Sequence, residues 1–176
     1  MEAIRAADDH MDLGVLGGRV IFHVLTEFGH ADLAFKMITR EDFPSFGNWL
    51  ARGATTLWED FYPDRVSSMN HHFWGDISAW FIKRIAGICL NPNHNNVNEV
   101  SLAPHFITAL NEASGYHIAP AGKIAVSWHR EGEDVLLDIE VPADMVATLT
   151  LEPAYALENG TCSGVVTSGR YRVIKV

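Results

Sequence analysis

The chain has 176 residues, enough for one good hydrophobic core or two small units sharing an interface, and 48% of them are hydrophobic against 20% charged, the balance of a folding globular protein. With 22 acidic against 13 basic residues the formal net charge is −9, which repels a phosphate backbone and excludes nucleic acid as an expected partner. The opening "MEAIRAADDHMD" lacks the basic, apolar, small-residue order of a signal peptide, and no apolar run approaches the roughly 20 residues that cross a bilayer, so no membrane partner is expected and the chain reads as cytoplasmic.

The first half reads as helical. In "RVIFHVLTEFGH" the residues Val20, Ile21, Val24, Leu25 and Phe28 recur at the spacing of one helix face, and Gly29 offers a C-terminal stop. "ADLAFKMIT" repeats the pattern through Leu33, Ala34, Met37 and Ile38, which predicts a helical hairpin turning at Gly29. Pro44 in "EDFPSFG" disfavours a helical Phe43, and Ser45 is placed to cap a short helix through Trp49 and Leu50. From Ser67 onward, Met69, Phe73, Ile77, Trp80 and Phe81 form one stripe and Trp74, Ser78, Phe81 and Ile85 another, predicting a helix buried on many sides and stopped near Gly87. Four or so helices with this much apolar surface have too few helical partners within the chain to cover them.

"NPNHNNVN", with five asparagines and a proline in eight positions, has the composition of a connecting loop and sets the expected boundary, helices in 1–90 and strands in 91–176. Beyond it the period is two. Ile124, Val126 and Trp128 alternate with small or polar residues, and after "REGED" so do Val135, Leu137, Ile139 and Val141, which predicts a hairpin. Met145–Leu151 and Arg170–Val176 read as further strands of an antiparallel sandwich, so the expected class is α+β.

Chemistry concentrates in "GATTLWEDFYPDRVSSMNHH", residues 53–72. His71 and His72 are neighbours whose side chains diverge by about 100° on a helix, and no second histidine, cysteine or acid sits one turn from His71, so no metal is expected. Cys89 and Cys162 show no CxxC spacing and read as buried thiols, and "GVLGGR" follows no strand, so neither a nucleophile nor a phosphate loop is implied and no cofactor is expected. Glycoside hydrolysis fits better, because it needs carboxylates beside aromatic rings that stack on a sugar. Trp49, Trp58, Glu59, His71 and Trp74 lie close in sequence at helix ends and loops. On the residues alone the alternative stays open: tryptophans as core, Glu59 as a solvated turn acid, and His71 as a capping or packing residue.

The run "LTEFGHADLAFKMITREDFPSFGNWLARGATTLWE", followed by "SSMNHHFWGDISAWFIKRIAGI" and preceded by "HMDLGVLG", resembles the end of the catalytic domain of bacterial α-L-rhamnosidases of glycoside hydrolase family 78. "GKIAVSW", "VLLDIEVPADMVATL" and "SGRYRV" resemble that family's C-terminal β-sandwich. The resemblance implies an (α/α)6 catalytic barrel, inversion at the anomeric centre and rhamnose-containing glycosides as substrates. It implies Glu59, from "TTLWE", as general base, and His71, from "SMNH", as a partner of the rhamnose hydroxyls, with Trp58 and Trp49 shaping the pocket. The family's general acid lies in a "GWTGD" region that has no counterpart here. The chain therefore reads as the C-terminal end of such an enzyme, inactive alone, with uncovered helix faces that also invite self-association. A non-catalytic carbohydrate- or protein-binding module is the rival reading.

Overall fold

Local chemistry sets the helix ends in the first half of the chain. The computed structural model describes residues 1–62, 64–65, 67–90 and 96–176 and divides into two units, Met1–Trp80 and Phe81–Val176. The loop expected at 91–98 lies largely outside the described residues. In the first unit α1 (Glu2–Ala6) and α2 (Val15–Gly18) precede a hairpin of α3 (Ile21–Glu27) and α4 (Ala31–Thr39). Gly29, at φ +79°, closes α3 as anticipated. Its N–H donates to the Thr26 carbonyl at 3.0 Å while the His30 N–H reaches back to Leu25 at 2.8 Å, the paired bonds of a Schellman stop. The Ser45 side chain caps α5 (Phe46–Ala51) by accepting the Asn48 N–H at 2.9 Å.

The buried stripe of α4 is Ala31, Ala34, Met37 and Ile38. On α3 the buried residues are Phe22, Leu25 and Thr26, whereas Val20 and Phe28 are 55% and 74% exposed. The core thus takes a face rotated from the one the periodicity favoured. The cause is visible in Thr26, whose hydroxyl donates to the Phe22 carbonyl at 2.7 Å and accepts the Trp80 indole N–H at 2.9 Å. A tryptophan N–H needs such a partner when buried, and this face supplies it in the Thr26 hydroxyl and the Phe22 carbonyl.

The last helix of the unit starts later than expected. A 3₁₀ turn, His72–Trp74, leads into α6 (Asp76–Trp80), and Met69 and Phe73 are exposed. Residues 68–71 are held by hydrogen bonds to residues 57–59, which leaves their backbone no helical partner. Phe46 gathers the aromatic core, its ring centroid within 5.3–6.2 Å of those of Phe22, Trp49, Phe61 and Trp74.

The second unit opens with a π-helical turn, Phe81–Ile85, followed by nine strands among the described residues: β1 (Ile88–Cys89), β2 (Glu99–Leu102), β3 (Glu112–Ala119), β4 (Gly122–Glu131), β5 (Asp134–Glu140), β6 (Val146–Thr150), β7 (Tyr155–Leu157), β8 (Ser163–Val166) and β9 (Gly169–Lys175). They form sheets ordered β1-β2-β6-β8 and β3-β4-β5-β9-β7. Pairing is antiparallel except between β2 and β6, which run parallel with Val100 beside Ala147. The anticipated hairpin is β4–β5, and its alternating residues Ile124, Val126, Trp128, Val135, Leu137 and Ile139 are all buried. β3 carries Ala113 and Gly115 at inward positions, too small for a hydrophobic alternation to announce the strand. Arg130 ties down the segment before β3 by donating to the carbonyls of Leu110, Phe106 and Ile107 at 3.0, 2.6 and 3.2 Å. The cysteines differ from expectation: Cys162 is exposed and Cys89 half-buried, its thiol pushed up by burial.

Candidate functional site

After α5 the chain runs through "GATTLWE" without regular structure, then returns along "SSMNH". The two passes bind each other. The Glu59 N–H donates to the Ser68 carbonyl at 2.8 Å and the His71 N–H to Leu57 at 2.7 Å, while the Thr56 hydroxyl bonds the Met69 carbonyl. The Ser68 N–H closes the arrangement by donating to Glu59 Oε2 at 3.0 Å. One carboxylate oxygen is therefore oriented by a backbone amide.

Two tryptophans fix the same stretch from behind. The Trp74 indole donates to the Glu59 carbonyl and the Trp49 indole to the Asp60 carbonyl, both at 3.1 Å. Both rings are buried, and Trp49 stacks on Phe61 with centroids 4.2 Å apart. Their bulk fills the core while each N–H holds a carbonyl of the acidic loop. Trp74 has little room to shift, since a Cβ built on Gly18 would stand 2.3 Å from its ring.

An open cleft of about 740 Å³ lies in front of this loop. Glu59, Asp60, Phe61, Tyr62 and Trp74 form one part of its lining, and His10, Asp12, Leu13, Phe43 and Pro44 another. Three acidic residues, Asp12, Glu59 and Asp60, are among the lining, and Phe43 and Tyr62 form an aromatic pair there with centroids 5.1 Å apart. The Arg65 guanidinium sits over Tyr62 at 4.3 Å from the ring centre. His10 is anchored to Asp42 at 3.0 Å, and Asp42 is held well below the usual carboxylate range by its hydrogen bond from Arg40.

Of the residues singled out from sequence, the fold brings Glu59 and His71 together, with His71 Nδ1 3.9 Å from Glu59 Oε2. Glu59 lines the cleft. Trp49 stands behind it as core, and Trp58 is half-buried with the Arg52 guanidinium 5.0 Å from its ring centre. Asp12, Phe43 and Tyr62 escaped sequence reasoning as cleft residues. Asp12 sits within "HMDLG" and Phe43 beside Pro44, but neither carries a periodic or spacing signal tying it to Glu59. Among the described residues no group of three or more histidines, cysteines or acids is arranged to hold a metal ion. No helix among them is long and apolar enough to cross a membrane.

Comparison with known proteins covers nearly all of the chain. Residues 1–85 match the family model described as bacterial alpha-L-rhamnosidase 6 hairpin glycosidase domain, and residues 90–162 match the bacterial alpha-L-rhamnosidase C-terminal domain. An alpha-L-rhamnosidase of Formosa agariphila is 33% identical over 86% of this chain, and one of Alteromonas sp. is 29% identical over 90%. The chain spans only 17% and 18% of those proteins' lengths. Among solved structures, the alpha-L-rhamnosidase of Dictyoglumus thermophilum superposes with a TM-score of 0.82 at 26% identity, over 97% of this chain and 22% of that one. The Streptomyces avermitilis alpha-L-rhamnosidase complexed with L-rhamnose gives 0.82 and 26%, over 98% of this chain and 19% of that one.

Proposed function

The chain belongs to the bacterial α-L-rhamnosidase family as its C-terminal part, the end of the six-hairpin glycosidase domain with the C-terminal β domain, and on that premise we propose that it supplies the general base of an inverting α-L-rhamnosidase. In this reading the boundary between the glycosidase and C-terminal domains lies at about residue 90, next to the start of the second family match, although the Phe81–Ile85 turn and β1 belong to the second compact unit. The substrate is a glycoside bearing terminal α-L-rhamnose, the sugar found in the complex of the Streptomyces avermitilis relative.

In this reading Glu59 takes a proton from water, whose oxygen bonds the anomeric carbon as the glycosidic C–O bond breaks. The departing oxygen takes its proton from a carboxylic acid on the opposite face, supplied by polypeptide other than these 176 residues. An inverting enzyme keeps that pair roughly 6.5–9.5 Å apart, with room for the water between. With Oε2 engaged by the Ser68 amide, Oε1 accepts the proton. His71 binds rhamnose hydroxyls, Trp58 reaches the substrate only in the assembled enzyme since it is not among the residues lining the present cleft, and Trp49 shapes the site indirectly by holding the Asp60 carbonyl.

The observation that carries the reading is a carboxylate at a cleft whose own backbone is fixed on both sides, by Ser68 and by Trp74. Such preorganisation is what a base needs to meet one water in one orientation. The test joins this chain to the upstream portion of the Formosa agariphila relative in one polypeptide. Turnover of 4-nitrophenyl α-L-rhamnoside with release of β-rhamnose is expected, and its loss on Glu59→Gln. A folded chimera whose activity ignores that substitution excludes Glu59 from the mechanism.

A further inference from the structure

The five-stranded sheet has a second concavity, on the face turned away from its core. Ile124, Val126, Trp128, Leu137 and Ile139 point inward and are buried, so alternation turns Ala125, Ser127, Asp138 and Glu140 outward. Register then fixes two rows across the strands. Tyr116 is paired with Ala125, which is paired with Glu140. Ser114 is paired with Ser127, Ser127 with Asp138, and Asp138 with Arg170.

The middle strand of each row carries a small side chain, where central strands ordinarily carry β-branched or aromatic ones. Tyr116 and Glu140 therefore stand two strand spacings apart, about 10 Å, with only a methyl group between them. The result is a depression of about 380 Å³, within the range of small-ligand sites. One wall is Tyr116, 64% exposed. Opposite it, on β5, stand the carboxylates of Glu140 and Asp138, paired with Lys123 Nζ of β4 at 2.9 Å and, beyond the lining, with Arg170 Nε of β9 at 2.8 Å.

This combination has a definite chemical preference. Carboxylates paired to cations keep lone pairs that accept hydroxyl hydrogens, and the Ser127 hydroxyl both donates and accepts. Because each charge is already matched, an ionic ligand gains little, whereas an uncharged polyol gains several charge-assisted hydrogen bonds. The tyrosine offers an apolar ring face to C–H groups opposite them. We infer that this depression is a sugar-binding site, separate from the Glu59 cleft, taking one pyranose unit between the Tyr116 ring and the Asp138 and Glu140 carboxylates. Choosing a sugar among hydroxyl-rich ligands rests on the function proposed above, while the site's existence rests on the sheet alone. It would hold a glycan to the protein without cleaving it.

Titration of the 176-residue chain, followed by amide NMR, tests the site with methyl α-L-rhamnopyranoside and methyl α-D-mannopyranoside as probes. At least one probe is expected to shift the Gly115, Ser127 and Asp138 amides saturably in the millimolar range. Tyr116→Ala should weaken that binding roughly tenfold, Tyr116→Phe should keep it, and Ala125→Gln should abolish it by filling the floor. Tyr116 is exposed, so unchanged dispersion elsewhere verifies that its removal leaves the sheet folded. Glu59→Gln must leave these shifts intact. Absence of saturable shifts with both probes, or shifts indifferent to both Tyr116→Ala and Ala125→Gln, overturns the inference. Either result is independent of whether Glu59→Gln removes hydrolysis, so this site and the catalytic reading fail separately.

Discussion

Glu59 and Ser68 are bonded twice: the Glu59 N–H donates to the Ser68 carbonyl at 2.8 Å, and the Ser68 N–H donates to Glu59 Oε2 at 3.0 Å. Backbone and side chain of the same glutamate are thereby registered against one residue of the returning segment. Replacing Glu59 by glutamine retains an oxygen that accepts the Ser68 N–H and removes the capacity to take a proton. In an assembled rhamnosidase carrying this chain, Glu59→Gln is expected to lower kcat about a hundredfold or more with little change in KM. Steady-state kinetics check it, with circular dichroism confirming an unaltered fold.

The 176-residue chain alone is expected not to turn over 4-nitrophenyl α-L-rhamnoside. Loss of a general acid alone costs about 10² to 10⁴ in rate, and loss of the remaining pocket walls removes positioning as well. Measurable release of 4-nitrophenol that disappears with Glu59→Gln would make the chain a minimal enzyme in its own right.

Gly18→Ala acts on Glu59 from a distance. The new Cβ would stand 2.3 Å from Cζ3 of Trp74, and the Trp74 indole holds the Glu59 carbonyl. Overpacking of this kind costs about 1–3 kcal/mol. A lower urea midpoint, altered tryptophan fluorescence and a reduced kcat in the assembled enzyme are expected together. Gly164→Ala in β8, whose new Cβ would meet only Thr161 Cγ2 at an ordinary 3.7 Å, is the control and should leave tryptophan fluorescence and kcat unchanged.

In the second unit Arg130 satisfies three backbone carbonyls at once, those of Leu110, Phe106 and Ile107. Arg130→Met keeps much of the aliphatic stem and strands those acceptors. Hydrogen bonds to a charged donor are individually worth about 1.5–3 kcal/mol, so a loss of about 2–3 kcal/mol is expected after partial rehydration. Urea unfolding followed through the Trp128 indole N–H resonance reads it, since that ring is buried in the same core and its N–H is held by the Ile85 carbonyl.

Asp42 makes part of the stability pH-dependent. The hydrogen bond from Arg40 lowers its carboxyl below the ordinary value, with a further contribution from His10. A depressed folded pKa means that the contribution is complete above the unfolded value, about 3.9, and is lost as pH falls through the folded one. Asp42→Asn should therefore be less stable than the parent chain at neutral pH, with the gap narrowing only in strong acid. Thermal unfolding of both proteins between pH 7 and pH 2 measures it.

Features that depend on a few neighbouring residues were legible in the sequence. Gly29 and Ser45 mark the ends they occupy, α4 buries most of the stripe its spacing predicts, and the alternation in β4 and β5 identifies the inward residues. The motif around Glu59 likewise locates the loop that lines the cleft. Decisions between distant segments were not legible. The buried face of α3 follows from the hydrogen bond of Trp80 to Thr26, made 54 residues away. The helical spacing after Ser67 is overridden by bonds to residues 57–59, and β2 pairs in parallel with β6 across 47 residues. Trp49 looked like a pocket aromatic, yet its indole reaches the Asp60 carbonyl from within the core. Periodicity reports which side chains share a face, but a buried N–H or carbonyl must find its partner wherever the folded chain supplies one. That requirement, acting across the tertiary structure, set which faces closed and which residues met Glu59 at the cleft.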